Sequence, residues 1–179
     1  MITQPWLTLV TIVKDDPEGF SRTIASIREQ ELVGVEFLII DSSADADVIP
    51  AIVNESGVVA QIHWTPPQGI YPAMNVGLTA ATGTYVYFAN AGDALANGSA
   101  ISTIRTATES TPKWLYGQVR FIQPDGTSIT PPPFDYEKER NRSFSNGRFP
   151  PHQRTIAQTQ LVRNLGGFDT SYRIGSDYA

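Results

Sequence analysis

The chain has 179 residues, a formal net charge of −5, 41% hydrophobic and 17% charged residues, and no cysteine. A chain of this size and apolar content buries a core of its own and is not a disordered polymer. The missing cysteine excludes disulfides, a thiolate zinc site and a cysteine nucleophile together, and the acidic balance argues against nucleic acid as a partner.

The charge is uneven: residues 1–119 hold 5 Lys/Arg and 12 Asp/Glu, whereas residues 120–179 hold 8 and 6. That asymmetry reads either as plain solubility or as an acidic metal-and-nucleotide half beside a basic half that meets phosphates. No apolar run approaches the roughly 20 residues of a membrane span. The first residues lack the basic region and cleavage pattern of a signal peptide. The expectation is a cytoplasmic protein without a transmembrane segment.

Leu7 to Val13 is rich in β-branched residues and predicts a buried strand, closed by Asp15-Asp16-Pro17. Phe20, Ile24 and Ile27 recur at helical spacing, so a helix should begin near Pro17. Val35 to Ile40 predicts a second strand ending in Asp41-Ser42-Ser43, Ala46 to Glu55 a short helix, and Val58 to Trp64 a third strand. A small-residue helix over Ala73 to Ala81 leads to a fourth strand, Tyr85 to Ala89, which ends in Asn90-Ala91-Gly92-Asp93, and a helix covers Ser99 to Glu109.

Strand and helix thus alternate through the first 110 residues, which predicts an α/β fold with a mainly parallel central sheet and helices on both faces. Such sheets bind ligands beyond the carboxyl ends of their strands, and here those ends carry Asp15, Asp41, Asn90 and Asp93. Farther on, Trp114 to Phe121 reads as a strand, Gln123-Pro124-Asp125-Gly126 as a turn, and Thr127 to Thr130 as the returning arm of a small hairpin. Pro131-Pro132-Pro133 breaks regular structure, the polar stretch from Phe134 to Pro151 reads as a long loop, and a short helix spans Gln158 to Asn164 before Gly166-Gly167.

There is no G-x-x-x-x-G-K-[ST], no G-x-G-x-x-G after the first strand and no G-x-S-x-G. If this sheet binds a nucleotide, a divalent cation on a strand-end carboxylate is the obvious substitute for a glycine-rich cradle.

The run Gln68-Gly69-Ile70-Tyr71-Pro72-Ala73-Met74-Asn75-Val76-Gly77, followed by Phe88-Ala89-Asn90-Ala91-Gly92-Asp93, resembles the family 2 glycosyltransferases of the GT-A fold. Thr8 to Asp16, Leu38 to Asp41, Pro151-His152-Gln153 and Gly166-Gly167-Phe168 through Asp177-Tyr178 are similar to further segments of that family, in the same order. The resemblance implies a single Rossmann-like GT-A domain over 1–179, C-terminally truncated, with a nucleotide-sugar-binding part at 1–119 and an acceptor-side part at 120–179. It implies a metal-dependent inverting transferase that moves a sugar from a nucleoside diphosphate, UDP above others, to a glycan or lipid-linked acceptor. Synthesis of cell-surface polysaccharide, at the inner face of the membrane with peripheral contact, would be its setting. The alternative is a non-catalytic nucleotide-sugar-binding domain or an inactive fragment.

By the same resemblance, Asp93 would hold Mn²⁺ or Mg²⁺, and Asp41 would bind the nucleoside. Backbone groups near Thr11 and Val13 would edge the base, Asn75 and Asn90 would lie at the donor, His152 and Gln153 would face the acceptor, and Asp177 would be the catalytic base. Each has a plainer reading. Asp41 can form an Asx-turn with its serines, Asn90 and Asp93 can cap the turn after a strand, and Asn75 can pin neighbouring backbone. The chain departs from the family pattern at Gln68, Pro72, Asn90 and Gly92, where acidic residues are usual. The basic run Lys138, Arg140, Arg142, Arg148 and Arg154 reads either as a solvated loop or as a lid that meets the diphosphate or an anionic acceptor.

Overall fold

A computed structural model describes residues 4–146 and 151–172. Its frame is a six-stranded sheet in the order β3-β2-β1-β4-β8-β5. The strands are β1 (Leu7–Val13), β2 (Val35–Asp41), β3 (Gln61–Trp64), β4 (Tyr85–Phe88), β5 (Trp114–Tyr116) and β8 (Thr155–Gln158). β1 pairs in parallel with β2 and β4, and β2 with β3; β8 runs antiparallel to both β4 and β5. A separate hairpin joins β6 (Phe121–Ile122) to β7 (Ser128–Ile129).

The two-residue period of β1 divides the core. Leu7, Leu9 and Val13 pack with Phe20, Ile24 and Ile27 of α1 (Pro17–Arg28), Ile49 of α2 (Val48–Ser56) and Ile101 of α4 (Ala100–Thr108). Val10 and Ile12 face the other way, onto Tyr71, Ala73, Met74 and Leu78 of α3 (Ile70–Ala80), with Val162 of α6 (Thr159–Asn164) beside them. Helices therefore cover both faces, as the alternation of elements predicts. Gly77 lets α3 lie close on the sheet, because a Cβ there would sit 2.5 Å from a methyl of Val10. Arg163 of α6 reaches back to the end of α3, donating to the carbonyls of Leu78, Thr79 and Ala81, which satisfies helix carbonyls that lack an internal partner.

Three expectations change. The stretch 134–151 is not one long loop: α5 (Tyr136–Ser145) occupies most of what is described of it. Asp135 caps that helix by accepting from the Lys138 N–H, and Glu, Lys and Arg are good helix formers. Its anchor is a cluster of rings, with Tyr136 edge-on to Trp114 and Phe134 edge-on to Tyr116. Second, the strand expected over Trp114 to Phe121 splits into β5 and β6, and the Gly117 N–H turns aside to the Arg154 carbonyl. Third, β8 was not expected at all. It holds a single buried aliphatic residue, Ile156, and lies between β4 and β5. Among the described residues no helix is long and apolar enough to cross a membrane.

Candidate nucleotide-sugar site

The chain runs outward through β1, β2 and β3, then returns over α3 to place β4 on the other side of β1. That reversal leaves a crevice at the carboxyl ends of the strands, where open α/β sheets bind ligands. A cavity of about 290 Å³ lies there, lined by Ile12, Lys14, Ser42, Gly69, Ala73 and Asn90 among others. The first strand thus offers Ile12 and Lys14 to the cavity. Thr11 and Val13, one residue out of phase, point to the opposite face and are 0% and 1% exposed. The Thr11 hydroxyl donates to the Ala89 carbonyl, and the Val13 carbonyl accepts from the Ser42 N–H. The expectation concerns backbone groups near these two residues, and their neighbours Ile12 and Lys14 line the crevice.

The loops after β1 and β2 are sewn together. The Asp15 N–H donates to Ser43 Oγ, the Ala44 N–H donates to Asp15 Oδ1, and the Ser43 N–H donates to Asp41 Oδ1 at 2.8 Å. Asp15 takes a left-handed backbone conformation, φ 50°, which aspartate tolerates better than most residues. Asp41 is 2% exposed, so it is buried at the strand end and not an open rim residue, and its Asx-turn is formed. Asp16 caps α1, with Oδ1 accepting from the Gly19 N–H.

At the end of β4, the Asn90 N–H donates to Asp93 Oδ2 at 3.0 Å, and the Asp93 N–H returns to the Asn90 carbonyl. Thr23 of α1, a residue the sequence reading passed over, holds this turn. Its hydroxyl donates to the Asp93 carbonyl at 2.7 Å and accepts from the Gly92 N–H. A threonine on the apolar face of a helix signals such a polar partner. The Asn90 amide nitrogen lies 3.1 Å from His152 Nε2. Asn90 Oδ1 is enclosed without a hydrogen-bond partner. Burial pushes the Asp93 carboxyl above its ordinary range, opposed by the Asn90 N–H and by the charge of His152 when its ring is protonated. The Tyr87 hydroxyl, raised by burial and then by Asp93, stays protonated and donates to the Gln153 carbonyl. His152 and Gln153 are thereby drawn to the end of β4, beside Asn90 and Asp93.

Asn75 lies apart from this group. Its amide nitrogen donates to the Phe168 carbonyl at 2.7 Å, and its oxygen accepts from the Phe168 N–H at 2.9 Å. Phe168 then packs edge-on to Phe88 and roughly parallel to Tyr71. The plainer reading of Asn75, a clamp on neighbouring backbone, is what the geometry contains. Asp177 lies outside the described residues.

Among the described residues no three His, Cys, Asp or Glu side chains gather into a metal cluster. A hard cation can nevertheless be held by few protein oxygens when substrate phosphates complete its shell. Asp93, with one carboxylate oxygen not taken by the Asn90 N–H, and the unpartnered Oδ1 of Asn90 fit that limited role.

The architecture is that of the GT-A glycosyltransferases. The mannosyltransferase PcManGT from Pyrobaculum calidifontis, solved with GDP-Man and Mn²⁺, superimposes with a TM-score of 0.63 at 18% identity, covering 94% of this chain and 49% of that one. S. aureus TarS 1-349 in complex with UDP superimposes with a TM-score of 0.74 at 16% identity, covering 96% of this chain and 52% of that one. The chain therefore spans about half the length of these solved structures. Two curated Mycobacterium tuberculosis proteins, the uncharacterized glycosyltransferases MT1564 and Rv1514c, are each 26% identical over 182 residues, which covers 99% of this chain and 68% of theirs. The glycosyl transferase family 2 model matches residues 8–176, and the chain belongs to that family.

Proposed function

We propose that this chain carries the donor site of an inverting glycosyltransferase that takes a sugar from a nucleoside diphosphate, UDP, and passes it to a glycan or lipid-linked acceptor. The observation that carries this reading is the crevice at the ends of β1, β2 and β4, walled by Ile12, Lys14, Ser42 and Asn90, whose N–H donates to Asp93. Asp41 accepts from the nucleoside, through the carboxylate oxygen left over from its turn. Ile12 offers an apolar surface to the base, and the Lys14 ammonium faces the diphosphate charge.

Asp93 and the Asn90 amide oxygen would hold Mn²⁺ or Mg²⁺, a divalent cation that when bound neutralises charge on the departing diphosphate. In the transfer, the acceptor oxygen attacks the anomeric carbon as the bond from that carbon to the diphosphate oxygen breaks. The acceptor proton passes to Asp177, and the diphosphate leaves with the electron pair. Asn75 contributes at a distance, by fixing the Phe168 backbone on α3 ahead of the segment that carries Asp177. The acceptor approaches from the His152–Gln153 side. A role in cell-surface polysaccharide synthesis at the cytoplasmic face of the membrane suits a lipid-linked acceptor.

A thermal-shift panel of UDP, GDP and their sugars, with and without Mn²⁺, tests the reading. A ligand specific to the folded state raises the melting temperature according to its affinity. UDP and Mn²⁺ together should stabilise more than the sum of each alone, and UDP-sugar should release UDP over time. Additive shifts would remove the shared metal site. Joint stabilisation without UDP release, even with a panel of acceptor glycans, would favour a binding domain that does no chemistry.

A further inference from the structure

Of the five basic residues from Lys138 to Arg154, one stands apart. Arg154 is 7% exposed, and it lies in the 3₁₀ turn His152–Arg154 that leads into β8. Its backbone is fixed at both ends, since its N–H donates to the Pro151 carbonyl and its carbonyl accepts from the Gly117 N–H. Its guanidinium carbon lies 5.8 Å from the ring centroids of both Tyr116 and Phe134. Those walls are themselves fixed: the Tyr116 hydroxyl donates to the Phe134 carbonyl and accepts from the Tyr136 N–H.

Among the described residues the guanidinium has no acid paired with it and makes no hydrogen bond. The ion pair among the described residues belongs to Lys138 and Asp135. Nε is enclosed without a partner, and the residue as a whole keeps 7% exposure. Two ring faces offset part of the cost of burying a cation, but they accept none of its N–H bonds. Buried donors of this kind are almost always satisfied. A planar fork of N–H groups held between two rings, with no protein acceptor, is suited to gripping two oxygens of one anion.

The anion it suits is a phosphate. A second guanidinium, that of Arg140, stands 5.4 Å from the Tyr136 ring of the same aromatic cluster. Its position also chooses the substrate. Arg154 lies two residues from His152, on the β5–β8 side of β4, whereas the crevice for the donor is walled by β1, the loop after β2, α3 and the turn after β4. We propose that Arg154 is the receptor for a phosphoryl group on the acceptor, and that the acceptor of this transferase is accordingly a phosphorylated or phosphodiester-linked molecule. This rests on the transferase reading for the word acceptor, but the anion site itself stands without it.

The test uses the 179-residue chain, with inorganic phosphate and sn-glycerol 3-phosphate titrated by calorimetry at constant ionic strength. The wild type should bind both saturably, with and without saturating UDP. Arg154→Met, which keeps apolar bulk between the rings, should melt no lower than the wild type and bind phosphate at least tenfold more weakly. Arg154→Lys should fall between them, and Lys138→Gln, which removes one exposed charge, should stay within twofold of the wild type. UDP affinity should change by less than twofold in Arg154→Met.

No saturable binding to the wild type, or equal binding to Arg154→Met, overturns the proposal. Competition between phosphate and UDP, with UDP affinity lost in Arg154→Met, moves the site to the donor diphosphate and overturns the acceptor assignment. A lower melting point with unaltered phosphate binding makes Arg154 a packing residue. If Arg154→Met does not fold, the wild-type competition and Arg154→Lys decide. A chain that binds phosphate but not UDP would refute the transferase reading alone.

Discussion

Replacing Asn75 by alanine separates a clamp from a donor contact. Two hydrogen bonds to the Phe168 backbone are lost, of 2.7 and 2.9 Å. At about 1 kcal/mol each they contribute about 2 kcal/mol, and alanine returns about 0.5 kcal/mol of helix preference on α3. The net loss of about 1.5 kcal/mol is roughly a tenfold rise in opening of the segment that docks Phe168. Hydrogen exchange at the Phe168 amide should accelerate by about that factor, while amides of β1 and β2 keep their protection. If the whole loss registered globally, the melting temperature would fall by about 3–6 °C; opening confined to the segment gives less. UDP affinity should stay within twofold, and turnover should fall because the segment after Phe168 carries Asp177. A tenfold weaker Kd for UDP with unchanged exchange at Phe168 would refute the reasoning and return Asn75 to the donor.

Gly77→Ala should lower the urea midpoint at constant m. The new Cβ meets a Val10 methyl at 2.5 Å, and overpacking of about 1–3 kcal/mol exceeds the helix gain of about 1 kcal/mol; an equal or higher midpoint would show that the core yields. Asp41→Asn keeps an acceptor for the Ser43 N–H, so its melting point should stay within about 3 °C while UDP binding weakens tenfold or more; unaltered binding would leave Asp41 a turn former. For Asp93, burial raises the folded-state pKa, so its protonation favours the fold. That contribution is whole below the unfolded carboxylate value of about 3.9 and is lost as pH rises through the folded one. In EDTA, Asp93→Asn should therefore gain stability relative to the wild type as pH rises through that window, and with Mn²⁺ it should lose the joint UDP response. A difference that is flat with pH would mean the carboxylate is not desolvated.

What the sequence disclosed depended on how each element is stabilised. β1, β2 and β4 are apolar on both faces, and a strand covered by helices on both sides reads as a continuous apolar run. Their acidic ends were equally plain. α5 is polar along nearly its whole length and docks through the rings at its start, so it gave no helical apolar period. β8 carries its buried position at Ile156 alone, too little to show a period of two. Within the site, Asp41, Asn90 and Asp93 were legible as residue types at strand ends, and His152 through the family resemblance. The phase of β1 was not: placing Ile12 and Lys14 toward α3 requires knowing which face α3 covers. Thr23 acts on Asp93, 70 residues later, and Arg154 on Tyr116, 38 residues earlier; a threonine on an apolar helix face signals a polar partner, but no local pattern says which one.

The place of β8 also sets an order of assembly. The neighbours β3, β2, β1 and β4 are complete once Phe88 has been made, and each can pair as it emerges. β5 cannot join them, because its seat on the sheet is the far edge of a strand that ends at Gln158. On a ribosome adding about 5–20 residues per second, Trp114 to Tyr116 and their aromatic neighbours wait several seconds for a partner, and closing so long a loop is slow. The nascent chain thus has a half-built sheet with an open β4 edge, and a chaperone that binds exposed aromatic segments would find its target there during that interval.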